Sequence, residues 1–256
     1  MANSPLPPAV RPQPSDDVDD LNLCLQPTYY LDAAHPAVRA LATAAVGTAT
    51  EDVAKAVGLY YAVRDGLRYD PYSVQPTPEA CKASAVIASG RGYCVAKAVV
   101  LAAAARSQGI PARLGFADVR NHLATERLRR MMGTDIFYYH GFTELHLEGK
   151  WVKATPAFNI ELCQKFGVLP LEFDGRSDSI FHPFDASNRR HMEYLNDRGS
   201  RVDLPIDELR DAMVRYYSGV ALTEMGGDFH AEAEAEQRQT ATSQETVRRL
   251  ATRSDP

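Results

Sequence analysis

Residues 90–113 read GRGYCVAKAVVLAAAARSQGIPAR. From Val95 to Ala105 this stretch is apolar on almost every side of a helical wheel, the pattern of a helix enclosed by a core rather than lying on one. Gly109 and Pro111 supply the usual stop signals. Two glycines and a tyrosine precede Cys94, the first residue of the predicted helix. A thiol there feels unpaired main-chain N–H groups and the positive end of the helix dipole, both of which favour the thiolate. Gly90 and Gly92 allow a sharp turn and leave room for another molecule to approach. The Cys94 amide would face an oxyanion formed by attack on a carbonyl. A nucleophilic cysteine competes with a simpler role, since free cysteines are commonly small buried apolar residues.

On the N-terminal side the pattern is helical. Pro36 suits the first turn of a helix running to about Val46. Thr50 is the expected N-cap of the next helix, with Glu51 and Asp52 in its first turn and Val53, Ala56, Val57 and Tyr60 on one face. Residues 71–78 form a proline-rich loop. Beyond the buried helix the period changes. Ala112–Val119 reads as a strand and residues 122–132 as a short basic helical excursion. In Tyr139–Leu147 the series His140, Phe142, Glu144, His146 alternates with Gly141, Thr143, Leu145, Leu147, as in a strand. Glu148-Gly149-Lys150 turns into a partner strand at Trp151–Ala154, with Trp151 as a core anchor. After Leu204-Pro205, a last helix capped by Asp207 offers Leu209, Met213 and Tyr216-Tyr217 for docking. The economical reading is one α+β domain over residues 28–222. It is flanked by a flexible Pro/Asp-rich arm (1–27) and a polar tail (223–256), disordered or helical, in which no core residue is expected.

Composition narrows the function. A net charge of −5 over 256 residues offers no concentrated basic patch for nucleic acid. No apolar run is long enough to span a bilayer, so no membrane partner is expected. The N-terminus lacks a basic start followed by an apolar region, and the four cysteines are widely spaced, which together predict free thiols and a cytoplasmic protein. No phosphate loop, dinucleotide fingerprint or HExxH motif occurs, so no cofactor is expected. Residues 179–199 gather His182, Asp185, Arg189, Arg190, His191 and Tyr194. Their spacing fits no compact metal motif, and none is assigned. The segment reads either as a lid touching an anionic or acyl substrate, with His182 and Arg190 as candidate contacts, or as a surface meander. Oligomeric state is not legible.

A thiolate nucleophile needs a base within reach, and that base needs an orienting partner. His140 begins a hairpin whose return strand ends at Thr155-Pro156, from which a side chain could reach the imidazole. Together, GYC at 92–94, ARSQGIPAR at 105–113, HGFTEL at 140–145 and WVKATPAFN at 151–159 resemble the transglutaminase-like superfamily of cysteine enzymes. The resemblance spans about residues 60–160. It implies a papain-like fold, with the helix that begins at the cysteine packed on an antiparallel sheet. It also implies Cys94 as nucleophile and His140 as general base and acid. The family places an aspartate where this chain has Thr155. A threonine can accept a hydrogen bond from the imidazole but cannot stabilise imidazolium by charge. The expectation is therefore weak amide hydrolysis, unless the substrate is more electrophilic or another acceptor, such as Asn159 or an acid from the C-terminal region, takes the third place.

The glutamine that papain-like proteases use as oxyanion donor falls on Ala88 here. The resemblance implies an aromatic donor from elsewhere in the chain, for which Tyr93 and the tyrosines at 60, 61, 69 and 72 are all candidates. Glu144 is expected to support the strand, and His146 to lie on a solvated face. The implied activity is acyl transfer through a thioester, of amidase, peptidase or transamidase type, on a small-molecule or peptide acyl substrate. Two alternatives are Cys–His chemistry on C–C or C–N bonds of a reactive carbonyl, and a binding module that kept the fold.

Overall fold

A computed structural model describes residues 19–75, 77–180, 191–217 and 226–251. Its centre is α4 (Cys94–Ser107), the predicted enclosed helix, in which twelve of fourteen residues are buried. The run Ala102–Ala105 presents only methyl groups, so neighbours approach closely. On one side lie α1 (Pro36–Val46), α2 (Asp52–Gly66) and α3 (Ala83–Ser89). On the other lies a sheet built from β3 (Ala112–Asn121), β4 (Ile136–Leu147), β5 (Lys150–Ala154) and β6 (Met192–Arg201). Its order is β5-β4-β3-β6, antiparallel throughout. This is the expected α+β arrangement of a helix beginning at the cysteine on an antiparallel sheet.

Two short strands, β1 (Arg68–Tyr69) and β2 (Arg91–Gly92), pair in parallel and bring Tyr69 beside Gly92, two residues before Cys94. The remaining helices are α5 (Glu126–Met132), α6 (Ile160–Phe166), α7 (Ile206–Tyr216) and α8 (Phe229–Ala251).

Several boundaries differ from expectation. Glu51, not Thr50, caps α2, and it does so without a side-chain bond. Asp207 lies inside α7, where the cap is Pro205. The segment expected to be a lid or meander supplies β6 from Met192 onward, while His182, Asp185, Arg189 and Arg190 lie outside the described residues. The tail holds core residues after all. Phe229, His230 and Ala233 are buried, the Phe229 ring meets Tyr69, Tyr72 and Phe166, and His230 Nε2 lies 3.0 Å from the Tyr69 carbonyl oxygen. The last part of the N-terminal arm is also packed. Cys24 is fully buried, and Arg106 donates to the Gln26 carbonyl at 2.7 Å.

Inside α4 one residue breaks the apolar pattern. Lys97 has no solvent exposure, and its ammonium donates to the carbonyls of Arg64, Leu67 and Ala157 at 2.7–2.8 Å. Two of these acceptors lie at the C-terminal end of α2, where carbonyls lack helical partners and cations are favoured. Burial draws the ammonium down to about 7, yet only the charged form supplies three donors. Lys97→Met is expected to cost at least about 3 kcal/mol, because three buried carbonyls lose their donor while the side-chain volume is kept. Urea unfolding checks this, and a loss under about 1 kcal/mol would contradict the structural role.

Candidate active site around Cys94

Cys94 opens α4 after Tyr93, an N-cap that makes no side-chain bond to the helix. The first-turn amides are thus left for the sulfur. The amides of Cys94 and Val95 in that turn, together with the amide of Gly141 in β4, act on it and favour the anion, but burial outweighs them and lifts the thiol to about 11. Cys81 and Cys163 are also lifted to about 11 by burial, and Cys24 is raised. Acidity in the resting state therefore does not single out Cys94. Its surroundings do.

Residue 141 shows how the helix and strand meet. A Cβ there would sit 2.9 Å from both Cα and Cγ2 of Val95, closer than side-chain carbons pack. Only glycine lets β4 touch the first turn of α4. Because Val95 follows Cys94 and Gly141 follows His140, this contact brings the predicted nucleophile and base to one place. Just before His140, β4 carries one extra residue. Ala117 faces His140 whereas Val119 faces Phe137, and Tyr139 takes a left-handed backbone (φ 55°). Such a bulge bends the strand and re-aims adjacent side chains, at a conformational cost of order 1 kcal/mol for a residue other than glycine.

His140 is 4% exposed, and burial lowers its imidazole to about 4, so the ring is neutral near pH 7. Its Nε2 is buried, with no hydrogen-bond partner among the described residues. Cys94 and His140 both line a cavity of about 350 Å³. The expected bond from Thr155 to the imidazole is not made. Thr155 is 1% exposed, and its Oγ1 has no partner either. Its main chain is engaged instead, the amide donating to Ser179 O at 3.0 Å and the carbonyl accepting from Tyr60 Oη at 3.2 Å. Resting Cys94 and His140 are therefore both neutral, with no charged third group beside them among the described residues.

The other candidates separate clearly. Asn159 does not reach the imidazole, because its Oδ1 accepts from the Tyr69 amide at 3.0 Å and pins β1. Glu144 pairs with Arg113 at 2.5 Å and accepts from Ser200 Oγ at 2.8 Å, tying three strands together away from the cavity. His146 packs edge-on against Trp151. Among the tyrosines, Tyr60, Tyr61 and Tyr72 spend their hydroxyls on Thr155 O, Glu172 and Glu232 respectively. Tyr69 and Tyr93 line the cavity.

Several lining residues were not foreseen. Leu128, Met131 and Met132 come from α5, and Leu209, Ala212 and Met213 from α7. The basic look of residues 122–132 hides the first three among arginines. Tyr217, read only as a docking residue, also lines the cavity and accepts the Tyr138 N–H at 2.7 Å through its hydroxyl. Among the described residues no three His, Cys, Asp or Glu side chains are grouped so as to hold a metal ion. No described helix is long and apolar enough to cross a membrane.

Residues 39–156 match the transglutaminase-like superfamily core. No curated protein matches the sequence. A crystal structure named "a Putative Cysteine Protease from Cytophaga hutchinsonii" is similar at 17% identity with a TM-score of 0.42, covering 72% of this chain. This chain spans about half (54%) of that one. The matched segment contains the helix that starts at Cys94 and the hairpin that carries His140, so this stretch of the chain is similar to a transglutaminase-like core.

Proposed function

We propose that the chain is a cysteine-dependent acyl-transfer enzyme. The observation that carries this reading is a buried imidazole with an unpartnered nitrogen lining the same cavity as a thiol at a helix N-terminus. Buried polar atoms almost always find partners, and the exceptions concentrate where chemistry needs them. In the proposed reaction the His140 imidazole takes the Cys94 proton as sulfur attacks the carbonyl carbon. The tetrahedral oxyanion forms beside the Cys94 amide. Imidazolium then returns the proton to the departing group, leaving a thioester that water or an amine resolves, with His140 again acting as base.

Both partners start neutral, and Thr155 brings no charge to the imidazolium, so forming the ion pair is costly. This favours acyl groups with good leaving groups (thioesters and activated esters) over amides. Hydrolysis and transamidation share the first half-reaction.

Acylation with p-nitrophenyl butyrate tests the reading. Intact-mass and peptide analysis should find the butyryl group on Cys94 at a rate well above that of Cys24, Cys81 and Cys163, and His140→Ala should remove the difference. Equal labelling of all four cysteines would instead support a binding module that kept the fold.

A further inference from the structure

The walls of the cavity beside Cys94 carry more information than its mouth. Leu128 and Met132 of α5, Leu209 and Met213 of α7 and Phe137 of β4 all line it. No described lysine, arginine, aspartate or glutamate lines it. Its polar atoms are the Cys94 sulfur, the His140 ring and tyrosine hydroxyls, all uncharged near neutral pH because burial holds the phenols of Tyr69, Tyr93 and Tyr217 above their ordinary range. Tyr69 and Tyr93 both line the cavity close enough to Cys94 for charge at the sulfur to be felt at their hydroxyls. They are neutral donors near the sulfur, suited to a carbonyl or ester oxygen and not to a counter-ion.

Resting on the acyl-transfer reading above, we propose that this cavity is the acyl-binding site and that it takes an uncharged, apolar acyl group, a short aliphatic chain or one aromatic ring. Three physical arguments carry this. A charged acyl chain would leave water for walls that offer no counter-charge, at a cost of several kcal/mol per ion. A volume of about 350 Å³ lies at the small end of the range for ligand pockets, roughly 300–1,000 Å³, which suits a small group. The walls include Met131, Met132 and Met213, whose unbranched, polarisable side chains fit aliphatic and aromatic shapes alike.

The test is a series of p-nitrophenyl esters: acetyl, butyryl, hexanoyl, benzoyl, anionic succinyl and cationic 4-aminobutyryl. In the aliphatic series kcat/KM should rise about fourfold per added methylene until the cavity is filled. The succinyl and 4-aminobutyryl esters should fall at least about 100-fold below butyryl. Met213→Lys should narrow the butyryl-to-succinyl ratio by about tenfold or more. Val214→Lys, at an exposed position on the cavity rim, should narrow it in the same direction if the Met213 variant does not fold. Equal rates for charged and neutral esters, with acyl groups found on Cys94, would overturn the acyl preference while leaving the chemistry intact. If no ester acylates Cys94, the acyl-transfer reading fails. Calorimetry with hexanamide and succinamate on the Cys94→Ala protein then decides the cavity's preference. Tighter hexanamide binding upholds it, and equal or weaker binding ends it.

Discussion

Cys94→Ala should lower acylation by p-nitrophenyl butyrate by about 10⁴-fold or more, His140→Ala by about 10²–10⁴-fold, and the double variant by no more than Cys94→Ala alone. The reason is that every proposed task of the base, from taking the thiol proton to activating the attack on the thioester, depends on this one sulfur. Once the sulfur is gone, removing the ring removes nothing further. A purely structural His140 would give the opposite result, with independent losses that multiply. The pH profile adds a second constraint. The reaction needs imidazole unprotonated and the thiol still carrying its proton to share. The rate should therefore rise as pH increases through about 4, where burial places His140, and then stay level towards about 11, where Cys94 itself ionises. A rate that rises through pH 6–7 would place the imidazole in an environment unlike the one described.

Gly141→Val should reduce the same rate by about 10²-fold and stability by about 1–3 kcal/mol. The new Cβ would meet Val95 Cα at 2.9 Å, and neither atom belongs to a flexible side-chain end. Strand and helix must separate, and the residues next to the contact, Cys94 and His140, separate with them. A shift of about 1 Å in a reacting pair costs roughly this factor in rate. Calorimetric melting and steady-state kinetics measure the two effects on one sample. A variant that melts earlier but keeps its rate would show that the pair is positioned by something other than this contact.

The legible parts of the sequence were those with a long, clean period or a motif tied to it. An eleven-residue run that is apolar but for Lys97 can be little else than an enclosed helix, and the alternation of residues 139–147 with a turn at Glu148-Gly149 fixes a hairpin. Cys94 was found because it opens the helix, and His140 because it lies in the alternating run, although the strand itself begins earlier, at Ile136.

What was missed follows from the same logic. Helices α3 and α6 have seven residues each, under two full turns of pattern. Strand β6 lies at the sheet edge with two register shifts and mostly exposed side chains, so it shows no alternation. Helix α8 is largely polar but anchored through Phe229 and Ala233. The burial of Lys97 could not be read from the chain, since its three acceptors come from α2, the segment after it and the stretch after β5. Tyr217 and the methionines reach the cavity only because α5 and α7 converge there, which is a tertiary fact.

The joint between Val95 and Gly141 also bears on how this site can vary. Main chain, not a third side chain, sets how near sulfur and ring come, so position 155 is relieved of a mechanical duty and retains only an electrical one. On the proposed acyl-transfer reading, such a site can exchange carboxylate for hydroxyl and retune which acyl donors it favours without loosening its frame, whereas any side chain at residue 141 forces strand and helix apart.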